Sequence, residues 1–522
     1  MIKMRIILCL LVLFVLYLKV NTSRILAVFP TPSISHQVVF RPLIHELSRR
    51  GHDVTVITTD PAYSPGETPT NLTEIDVHDL SYKLWKDEFF KAALEKQGDM
   101  NENVNVIFKT MLKITASQLK TKEVQDIIKK KKGEFDLLLL EAYVEPALIY
   151  SHFFNVPVIL ISSFGGMPYN LRTVGVSTHP FLYPSLLNLK IYNLTKWEKL
   201  QHLYNLWRIE NSIWQFKQQS DKTLKSLIGS DIPSLQELSS NVHMLFLNVH
   251  SIWVDNQPVP PNVVYIGGIH MAPQKELPKD LKSFLDSSKN GVVYFSLGTN
   301  VKTSALPPEI VQMFVRVFSE LPFDVLWKWD VDALRGQTKN IKIMKWLPQT
   351  DVLRHPNIKL FITQGGLQST DEAISAGVPL IGIPLLGDQW YNVQKYVHHQ
   401  IGIQLDIKSL TEEELTKAIH EVIKDKRYRE NIIRMRTVML DQPQSPLERA
   451  VWWTEHVLRH GGATHLRAAG ANVSWAQYLE LELILIVLIT LFLAFTVLSI
   501  SVYVLWRFIR QNINVDVKQK VT

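Results

Sequence analysis

The chain has 522 residues, of which 46% are hydrophobic and 20% charged, a composition typical of a globular protein with two to four domains. Its formal net charge of +7 is small for this length, and no arginine-rich run alternates with aromatic residues, so nucleic acid is not expected as a partner. The single cysteine, Cys9, lies in the leader described next, which excludes disulfides, thiolate metal sites and cysteine nucleophiles from the mature chain.

The N-terminal residues have the pattern of an export signal. Lys3 and Arg5 precede an apolar run at 6–17, and small polar residues follow. A charged start and an apolar run too short to cross a bilayer comfortably predict a cleavable signal peptide over residues 1–23. A retained signal anchor is the alternative, because a lysine and an asparagine stand near the cleavage site. Either form exports the residues that follow.

The first half of the exported chain has the rhythm of an α/β domain. Residues 180–227 are helical in pattern and rich in tryptophan, leucine and tyrosine, which fits either the wall of an apolar ligand site or a face that touches a membrane. We assign residues 24–270 to this N-terminal domain. Apolar runs predict parallel strands, and a helical pattern between the first two completes a right-handed crossover unit; the strands are at 25–29, 54–57, 135–140 and 156–161, and the helix at 38–50.

The same rhythm restarts after a stretch rich in proline, lysine and serine, which predicts a linker at 271–289. Residues 290–465 then form a second α/β domain. Two doubly wound domains that face each other would bind a ligand in the cleft at the carboxyl ends of their strands. The strands of the second domain are expected at 292–295, 324–327, 341–344, 360–363 and 379–383.

The C-terminal residues predict a membrane anchor. After a juxtamembrane segment at 466–482, residues 483–506 are nearly all apolar and long enough to cross a bilayer as a single transmembrane helix. Arg507 and Arg510 follow directly. Positive residues on that side place the tail at 507–522 in the cytoplasm and both domains in the lumen.

Short motifs specify the compartment. Lys518 and Lys520 resemble the dilysine signal that returns type I membrane proteins to the endoplasmic reticulum. Asn71 and Asn193 begin N-glycosylation sequons, as expected in lumenal domains, whereas a third sequon at Asn472 lies close to the predicted membrane helix. We therefore expect a single-pass type I protein of the endoplasmic reticulum membrane.

One stretch, FITQGGLQSTDEAISAGVPLIGIPLLGDQWYN, contains the groups expected of a sugar-nucleotide site. A buried strand ends before Gly365 and Gly366, which open a helix and let backbone N–H groups approach a phosphate. Glu372 in that helix is placed to accept hydrogen bonds from ribose hydroxyls. Asp388 and Gln389 follow the next strand and offer acceptors and donors that suit sugar hydroxyls.

In order and spacing, this stretch resembles the signature of the membrane-bound animal UDP-glycosyltransferases, the family of the UDP-glucuronosyltransferases. The resemblance implies two Rossmann-like domains that face each other across a cleft, the GT-B type, and a UDP-sugar as donor. The segment KWLPQ resembles the family's uracil-binding segment, in which Trp346 and Gln349 would contact the base. The segment FSLGT resembles the strand end that faces the diphosphate, with the hydroxyl of Ser296 as a phosphate ligand.

The resemblance also implies the catalytic groups. The family's base is a histidine after the first strand, here His36, and an acidic residue after a later strand orients it, here Glu141. Imidazole suits this task because its ordinary pKa of about 6.5 lets it accept a hydroxyl proton near neutral pH. His36 would activate an acceptor hydroxyl for attack on the anomeric carbon opposite UDP, with inversion. Because the family works without a metal, neither a metal ion nor another cofactor is expected.

Gln364 departs from the vertebrate members of the family, which usually have histidine before the two glycines. The segment QGGLQ, from Gln364 to Gln368, resembles the insect members, which more often use UDP-glucose than UDP-glucuronate. Both glutamines are therefore assigned to the UDP-sugar site, and glucose is the expected donor sugar, with glucuronic acid as the alternative. The family implies a small lipophilic acceptor, such as an alcohol, phenol or steroid, and a role in detoxification.

Two other functions fit the same fold. A glycosyltransferase that acts on membrane lipid would also need an apolar wall near a membrane. A non-catalytic, membrane-tethered binding protein would need neither His36 nor the set formed by Glu372, Asp388 and Gln389, and the presence of all four favours an enzyme. Assembly into a homo-oligomer is left open.

Overall fold

The computed structural model describes residues 22–64, 66–90, 100–130, 132–299 and 302–519. The predicted signal peptide, apart from its last two residues, lies outside these ranges, and so does Lys520 of the predicted dilysine signal.

A seven-stranded parallel sheet occupies the first half of the chain. Its strands are β1 (Arg24–Phe29), β2 (Asp53–Thr58), β3 (Leu72–Asp76), β4 (Leu137–Glu141), β5 (Val158–Ser162), β6 (Val242–Leu247) and β7 (Val263–Tyr265). They lie in the order β3-β2-β1-β4-β5-β6-β7, so β1 and β4 are neighbours and Val28 lies opposite Leu140. The four strands predicted here are present, and they are buried along almost their whole length because helices cover both faces of the sheet.

A six-stranded parallel sheet occupies the second half. Its strands are β8 (Val292–Ser296), β9 (Asp324–Lys328), β10 (Ile341–Met344), β11 (Ile358–Thr363), β12 (Leu380–Gly382) and β13 (Gly402–Gln404), in the order β10-β9-β8-β11-β12-β13. The five strands predicted in this half are present. The predicted class, two doubly wound α/β units, is therefore confirmed.

Helices connect the strands. Those of the first half are α1 (Ile34–Arg49), α2 (His78–Trp85), α3 (Met100–Gln118), α4 (Lys122–Ile128), α5 (Ile149–Phe154), α6 (Pro168–Thr173), α7 (Lys196–Ile228) and α8 (Leu235–Leu238). Those of the second half are α9 (Lys279–Ser287), α10 (Pro308–Glu320), α11 (Gln349–Leu353), α12 (Leu367–Ala376), α13 (Gln389–His398), α14 (Glu412–Lys424), α15 (Lys426–Leu440) and α16 (Pro446–His460), followed by α17 (Trp475–Tyr478) and α18 (Leu481–Gln519).

The 33-residue helix α7 begins at a capping box. The hydroxyl of Thr195 accepts from the backbone N–H of Glu198, and the carboxylate of Glu198 accepts from the backbone N–H of Thr195. Two backbone donors that the first turn cannot use are thus satisfied, which fixes where the helix starts. Most of the region predicted to be helical between 180 and 227 belongs to α7.

The helix α16 lies on the first sheet, although its residues come from the range 290–465 predicted for the second domain. Its buried side chains, Ala450, Val451 and Val457, share a core with β1 and α1. The hydrophobic pattern predicts which face of such a helix is buried but not which sheet it covers. The predicted linker at 271–289 likewise contains α9, whose Leu281 and Leu285 are fully buried.

The C-terminal helix α18 contains a candidate membrane span at Leu481–Gln511, whose side chains are not buried by the rest of the chain. It includes the whole of the predicted membrane helix at 483–506. The helix has exposed apolar side chains on all of its faces, as expected of a segment in contact with lipid.

Candidate active site

A cleft of about 550 Å³ lies between the two halves, where loops follow the carboxyl ends of β1, β4, β5, β8, β10, β11 and β12. Parallel strands of both sheets end at this cleft, as predicted for doubly wound domains. Most of the predicted site residues line it: His36, Trp346, Gln349, Gln364, Gly366, Gln368, Glu372, Asp388 and Gln389.

The remaining three predicted residues lie behind the surface of the cleft. Glu141 is buried behind His36. Gly365 precedes the helix start, and Ser296 is buried at the end of β8, where its hydroxyl accepts from the backbone N–H of Gly298 at 3.3 Å. Ser296 thus shapes the loop after β8, and the next exposed residue, Thr299, lines the cleft.

His36 and Glu141 form a hydrogen-bonded pair although 105 residues separate them. His36 lies in the first turn of α1, and its Nδ1 is 2.7 Å from Oε1 of Glu141 at the end of β4. The other carboxylate oxygen accepts from the backbone N–H of Thr31 at 3.1 Å. Because a carboxylate oxygen is a hydrogen-bond acceptor, we assign the proton to Nδ1, which leaves Nε2 as the basic atom of the ring.

Aromatic side chains from the first half surround the imidazole. The ring of Phe164 lies edge-on at 5.7 Å from that of His36, and the ring of Tyr143 at 6.2 Å. Both side chains line the cleft together with Ile107, Met167 and other apolar residues from α3 and the loop before α6. A hydroxyl brought to His36 would therefore belong to a molecule with an apolar body.

Asp388, just before α13, is held by the same helix. Its Oδ2 accepts from Nδ2 of Asn392 at 2.9 Å. Burial in the cleft raises the pKa of the Asp388 carboxyl group, while the hydrogen bond from Asn392 and the nearby imidazole of His36 oppose that shift. Asp388 thus lies within electrostatic range of His36.

Asn392 also joins the two halves, and sequence reasoning missed it. Its Nδ2 donates to the carbonyl of Gly365 at 2.9 Å, and its Oδ1 accepts from the indole N–H of Trp253 at 2.9 Å. Trp253 belongs to the first half and Asn392 to the second. The position of Asn392, one helical turn after Asp388, was the one available signal, because side chains four residues apart on a helix are neighbours.

Gln389 fixes the loop that precedes α13. Its Oε1 accepts from the backbone N–H groups of Leu385 and Leu386 at 2.7 and 2.8 Å. The carbonyl oxygen is thereby occupied, so the amide nitrogen is the group of Gln389 that can donate to a ligand in the cleft.

Glu372 and Gln349 are bonded to each other. The carboxylate of Glu372 accepts from the Gln349 amide and from the hydroxyl of Thr350, and the Gln349 amide also donates to Ser369 at 2.8 Å. The Gln349 oxygen accepts from the hydroxyl of Tyr294 at 2.9 Å. The two predicted nucleotide ligands therefore form one pre-oriented network.

Trp346 is 64% exposed and presents its ring to the cleft. The ammonium group of Lys328 lies 4.9 Å from the centre of this ring and donates to the carbonyl of Gly298 at 2.9 Å. Burial lowers the pKa of Lys328. Sequence reasoning missed this cation, because Lys328 stands at the end of an apolar strand outside the recognised segments.

The start of α12 requires glycine. Gly365 has a φ of +90°, and a Cβ atom there would lie 2.5 Å from Cγ2 of Val393.

The loop after β8 also requires glycine. Gly298 has a φ of +79°, and a Cβ atom there would lie 2.2 Å from Nε2 of Gln364. The buried Gln364 side chain thus packs beneath the loop after β8. Gln368, the other predicted glutamine, donates across to the carbonyl of Ser163 in the first half at 2.9 Å.

Comparisons with known proteins find relatives that match most of the chain. A family model described as "UDP-glucoronosyl and UDP-glucosyl transferase" matches residues 24–515. An ecdysteroid UDP-glucosyltransferase of Spodoptera littoralis nuclear polyhedrosis virus is 38% identical over 492 residues, which is 90% of this chain and 94% of the viral protein. UDP-glucosyltransferase 2 of Dactylopius coccus is 34% identical over 479 residues, 90% of each chain.

Solved structures show the same fold at low sequence identity. The UDP-glucose: anthocyanidin 3-O-glucosyltransferase in complex with UDP superposes with a TM-score of 0.57 at 17% identity, covering 84% of this chain and 99% of its own. CalG4, the calicheamicin glycosyltransferase, superposes with a TM-score of 0.56 at 16% identity, covering 84% and 98%. These likenesses confirm the expected arrangement of two Rossmann-like units across a cleft.

Proposed function

The chain belongs to the UDP-glucuronosyl and UDP-glucosyl transferase family and is a UDP-glycosyltransferase, and we propose that it transfers glucose from UDP-glucose to a hydroxyl of a small lipophilic acceptor. The main observation in support of this proposal is the His36–Glu141 pair, with 2.7 Å between Nδ1 and Oε1. The pair lies at a cleft that is also lined by the residues assigned to the UDP-sugar. We assign acceptor binding to the first half and donor binding to the second.

The base is Nε2 of His36. Glu141 holds the proton on Nδ1 and stabilises the imidazolium that forms when Nε2 takes the acceptor's proton. The acceptor oxygen attacks the anomeric carbon from the side opposite the diphosphate, so the new glycosidic bond forms as the bond to UDP breaks. This single displacement inverts the anomeric configuration, as is typical of the family.

The leaving UDP departs towards the start of α12. Backbone N–H groups at Gly366 and the positive end of the ten-residue helix would stabilise the charge that develops on the diphosphate. Uracil would stack on the exposed ring of Trp346, and Gln349 would contact its edge. The Glu372 carboxylate, already oriented by its neighbours, would accept from the ribose hydroxyls.

The donor sugar is proposed from the groups at its end of the cleft. Asp388 would accept from sugar hydroxyls, and the Gln389 amide would donate to them. A glucuronate carboxylate beside Asp388 would place two negative charges together, which is unfavourable in a partly buried site. Both curated relatives described above are named glucosyltransferases. Equal concentrations of UDP-glucose and UDP-glucuronate in one assay would decide the question, and a preference for UDP-glucuronate would overturn this choice.

The acceptor is proposed from the apolar wall beside His36. Side chains such as Ile107, Phe164 and Met167 would bury a polycyclic or phenolic body while its hydroxyl meets Nε2. The viral relative described above is named for ecdysteroids, which are polycyclic alcohols. Incubation of the purified full-length protein with labelled UDP-glucose and a panel of steroids, phenols and sugars tests the class, and transfer to sugars alone would contradict it.

A matched pair of variants tests the base. His36→Gln removes the proposed base, whereas His45→Gln changes a histidine of the same helix that does not line the cleft. Loss of transfer in the first variant alone supports the assignment. Equal activity of both variants with the wild type would remove His36 from the mechanism.

We propose that α18 anchors the protein in the endoplasmic reticulum membrane with both halves in the lumen. Arg507 and Arg510 at the end of the apolar run favour a cytoplasmic tail, and Asn71 and Asn193 are exposed, as glycan acceptors must be. Asn472 fits less well, because its Oδ1 accepts from Ser239. Protease added to intact microsomes should remove only the tail, and digestion near Asn71 would contradict this topology.

A further inference from the structure

A second cavity, of about 110 Å³, lies beside the cleft and is called the port here. It is enclosed by α6, the loop at 175–188, the first half of α7 and the juxtamembrane residues 470–478. Apolar and aromatic side chains dominate its wall, among them Tyr183, Leu206 and Trp475.

The port and the cleft share one wall residue, Leu186. Its side chain is 8% exposed and packs over Gly165, where an added Cβ atom would lie 3.1 Å from Cδ1 of Leu186. The next residue, Leu187, lines the cleft but not the port. Leu186 thus stands at the boundary between the two spaces, and a leucine side chain can change rotamer without breaking a hydrogen bond.

The port lies near the candidate membrane span. The backbone N–H of Asn472 donates to the carbonyl of Arg172 at 3.1 Å, and the hydroxyls of Tyr478 and Ser177 are 3.2 Å apart. The span begins at Leu481, three residues after Tyr478. Three residues reach at most about 11 Å, so the port wall at Ser177 lies close to the surface of the bilayer that α18 crosses.

The elements that form the port also expose large apolar side chains. Leu182, in the port loop, is 61% exposed, and on α7 Trp197 and Trp207 are 68% and 63% exposed. Tryptophan, tyrosine and leucine exposed together are unusual on a soluble surface but common where a protein meets the membrane interface. A membrane surface is expected at these side chains because the proposed anchor α18 begins beside the same elements.

We propose that the port is the entrance through which lipophilic acceptors dissolved in the bilayer reach His36, with Leu186 at the passage. The inference rests on the proposed acceptor class and the proposed anchor. A cavity of this size holds about one ring, since an engineered cavity of roughly 150 Å³ binds benzene. Passage of a larger acceptor therefore requires Leu186 and the loop at 175–188 to move. Such an acceptor passes from the lipid to the apolar wall of the port without entering water.

Two acceptors with the same nucleophile separate this route from the cleft itself. Full-length protein in phosphatidylcholine vesicles is assayed with 4-nonylphenol, which partitions into lipid, and with 4-hydroxyphenylacetamide, which stays in water and whose one hydroxyl is also a phenol. Leu206→Trp fills the port from α7, and Val473→Trp fills it from the juxtamembrane side; neither residue lines the cleft. Leu189→Trp, in the loop before α7 but lining neither space, is the control.

Both port variants should raise the KM for 4-nonylphenol at least tenfold and change the KM for UDP-glucose and the rate with the water-soluble phenol less than threefold. Leu189→Trp should behave as the wild type. An equal effect on both phenols, or no effect on either, would overturn the proposal. Failure of the wild type to glucosylate any phenol would instead overturn the proposed acceptor class, so the two failures are distinguishable. Retained UDP affinity in both variants shows that they are folded.

Discussion

Replacement of Glu141 by glutamine should slow transfer without weakening the binding of UDP-glucose. The carboxylate of Glu141 accepts two hydrogen bonds, from Nδ1 of His36 at 2.7 Å and from the backbone N–H of Thr31 at 3.1 Å. A glutamine side chain has one acceptor and one donor group, so it cannot accept both. If its oxygen faces Thr31, its NH₂ group faces Nδ1 and holds the imidazole in the tautomer that has its proton on Nε2. That tautomer cannot act as the base.

The magnitude follows from the alternative arrangement. If the glutamine oxygen faces His36, its NH₂ group opposes the Thr31 N–H in a buried site, which costs about 1–3 kcal/mol. This cost makes the arrangement with the productive tautomer a minor population. The imidazolium also loses the stabilisation that the negative charge of Glu141 provides. We expect kcat to fall about 10- to 1,000-fold, or roughly 1.4–4 kcal/mol. Initial rates at varied UDP-glucose concentration measure kcat and KM separately, and Glu141→Asp, which keeps the charge, should retain more activity.

Two results would refute this reasoning. A near-normal kcat in Glu141→Gln would show that neither the tautomer nor the charge of the imidazole depends on this carboxylate. A loss of UDP affinity equal to the loss of kcat would show that Glu141 supports the shape of the cleft and not the base. Calorimetric titration with UDP alone separates these cases, because the proposed UDP ligands all lie in the second half.

Four further substitutions test other parts of the protein. His36→Ala should lower kcat by about 100- to 10,000-fold, the usual worth of a general base, while calorimetry shows unchanged UDP affinity. Glu372→Ala should weaken UDP and UDP-glucose alike, by about 1.5–3 kcal/mol in competition binding, whereas Asp388→Ala should weaken only UDP-glucose; the reverse pattern would exchange their roles. Burial beside Glu372 raises the pKa of Asp371 to about 8. The folded state thus holds a proton that the unfolded chain loses above about pH 4, so this group costs stability as pH rises towards 8, by at most about 4 kcal/mol at pH 7. Asp371→Asn should therefore raise the melting temperature more at pH 8 than at pH 5, and an equal shift at both would contradict the raised pKa.

The strands that carry the site could be predicted because they are buried on both faces and appear as continuous apolar runs. Strands β3, β6, β7 and β13 were not predicted. The strand β6 is a mostly apolar, buried run whose pattern was present in the sequence and was missed. The strand β3 lies at the edge of its sheet and buries only its first residue, Leu72, and β7 and β13 have only three residues each. Their positions depend on pairing with neighbours that are distant in the chain, and local periodicity does not report such pairing.

The pair His36 and Glu141 was predicted by resemblance, and the strand order gives it a physical basis. Because β1 and β4 are adjacent and parallel, the residues after them meet at one edge. The spacing of the two residues in the sequence does not reveal the order of the strands in the sheet. The link between Trp253 and Asn392 had no signal at all in the first half, since a buried hydrogen bond between distant residues leaves no period in either segment.

The helix α13 couples the two halves at the place where the sugar is proposed to bind. Asp388 and Gln389 stand at its start, and Asn392, one turn on, bonds to Trp253 of the first half. A further turn on, Lys395 is 0% exposed and its ammonium group lies 2.6 Å from Oδ2 of Asp255, also in the first half. A buried ion pair adds little net stability, because desolvation offsets its attraction, but it tolerates few geometries. The residues proposed to hold the donor sugar therefore belong to a helix that a hydrogen bond and a buried ion pair fix to the first half, and the first half carries His36. Inverting displacement needs this relation, since the base, the acceptor oxygen and the anomeric carbon must line up before the proton moves.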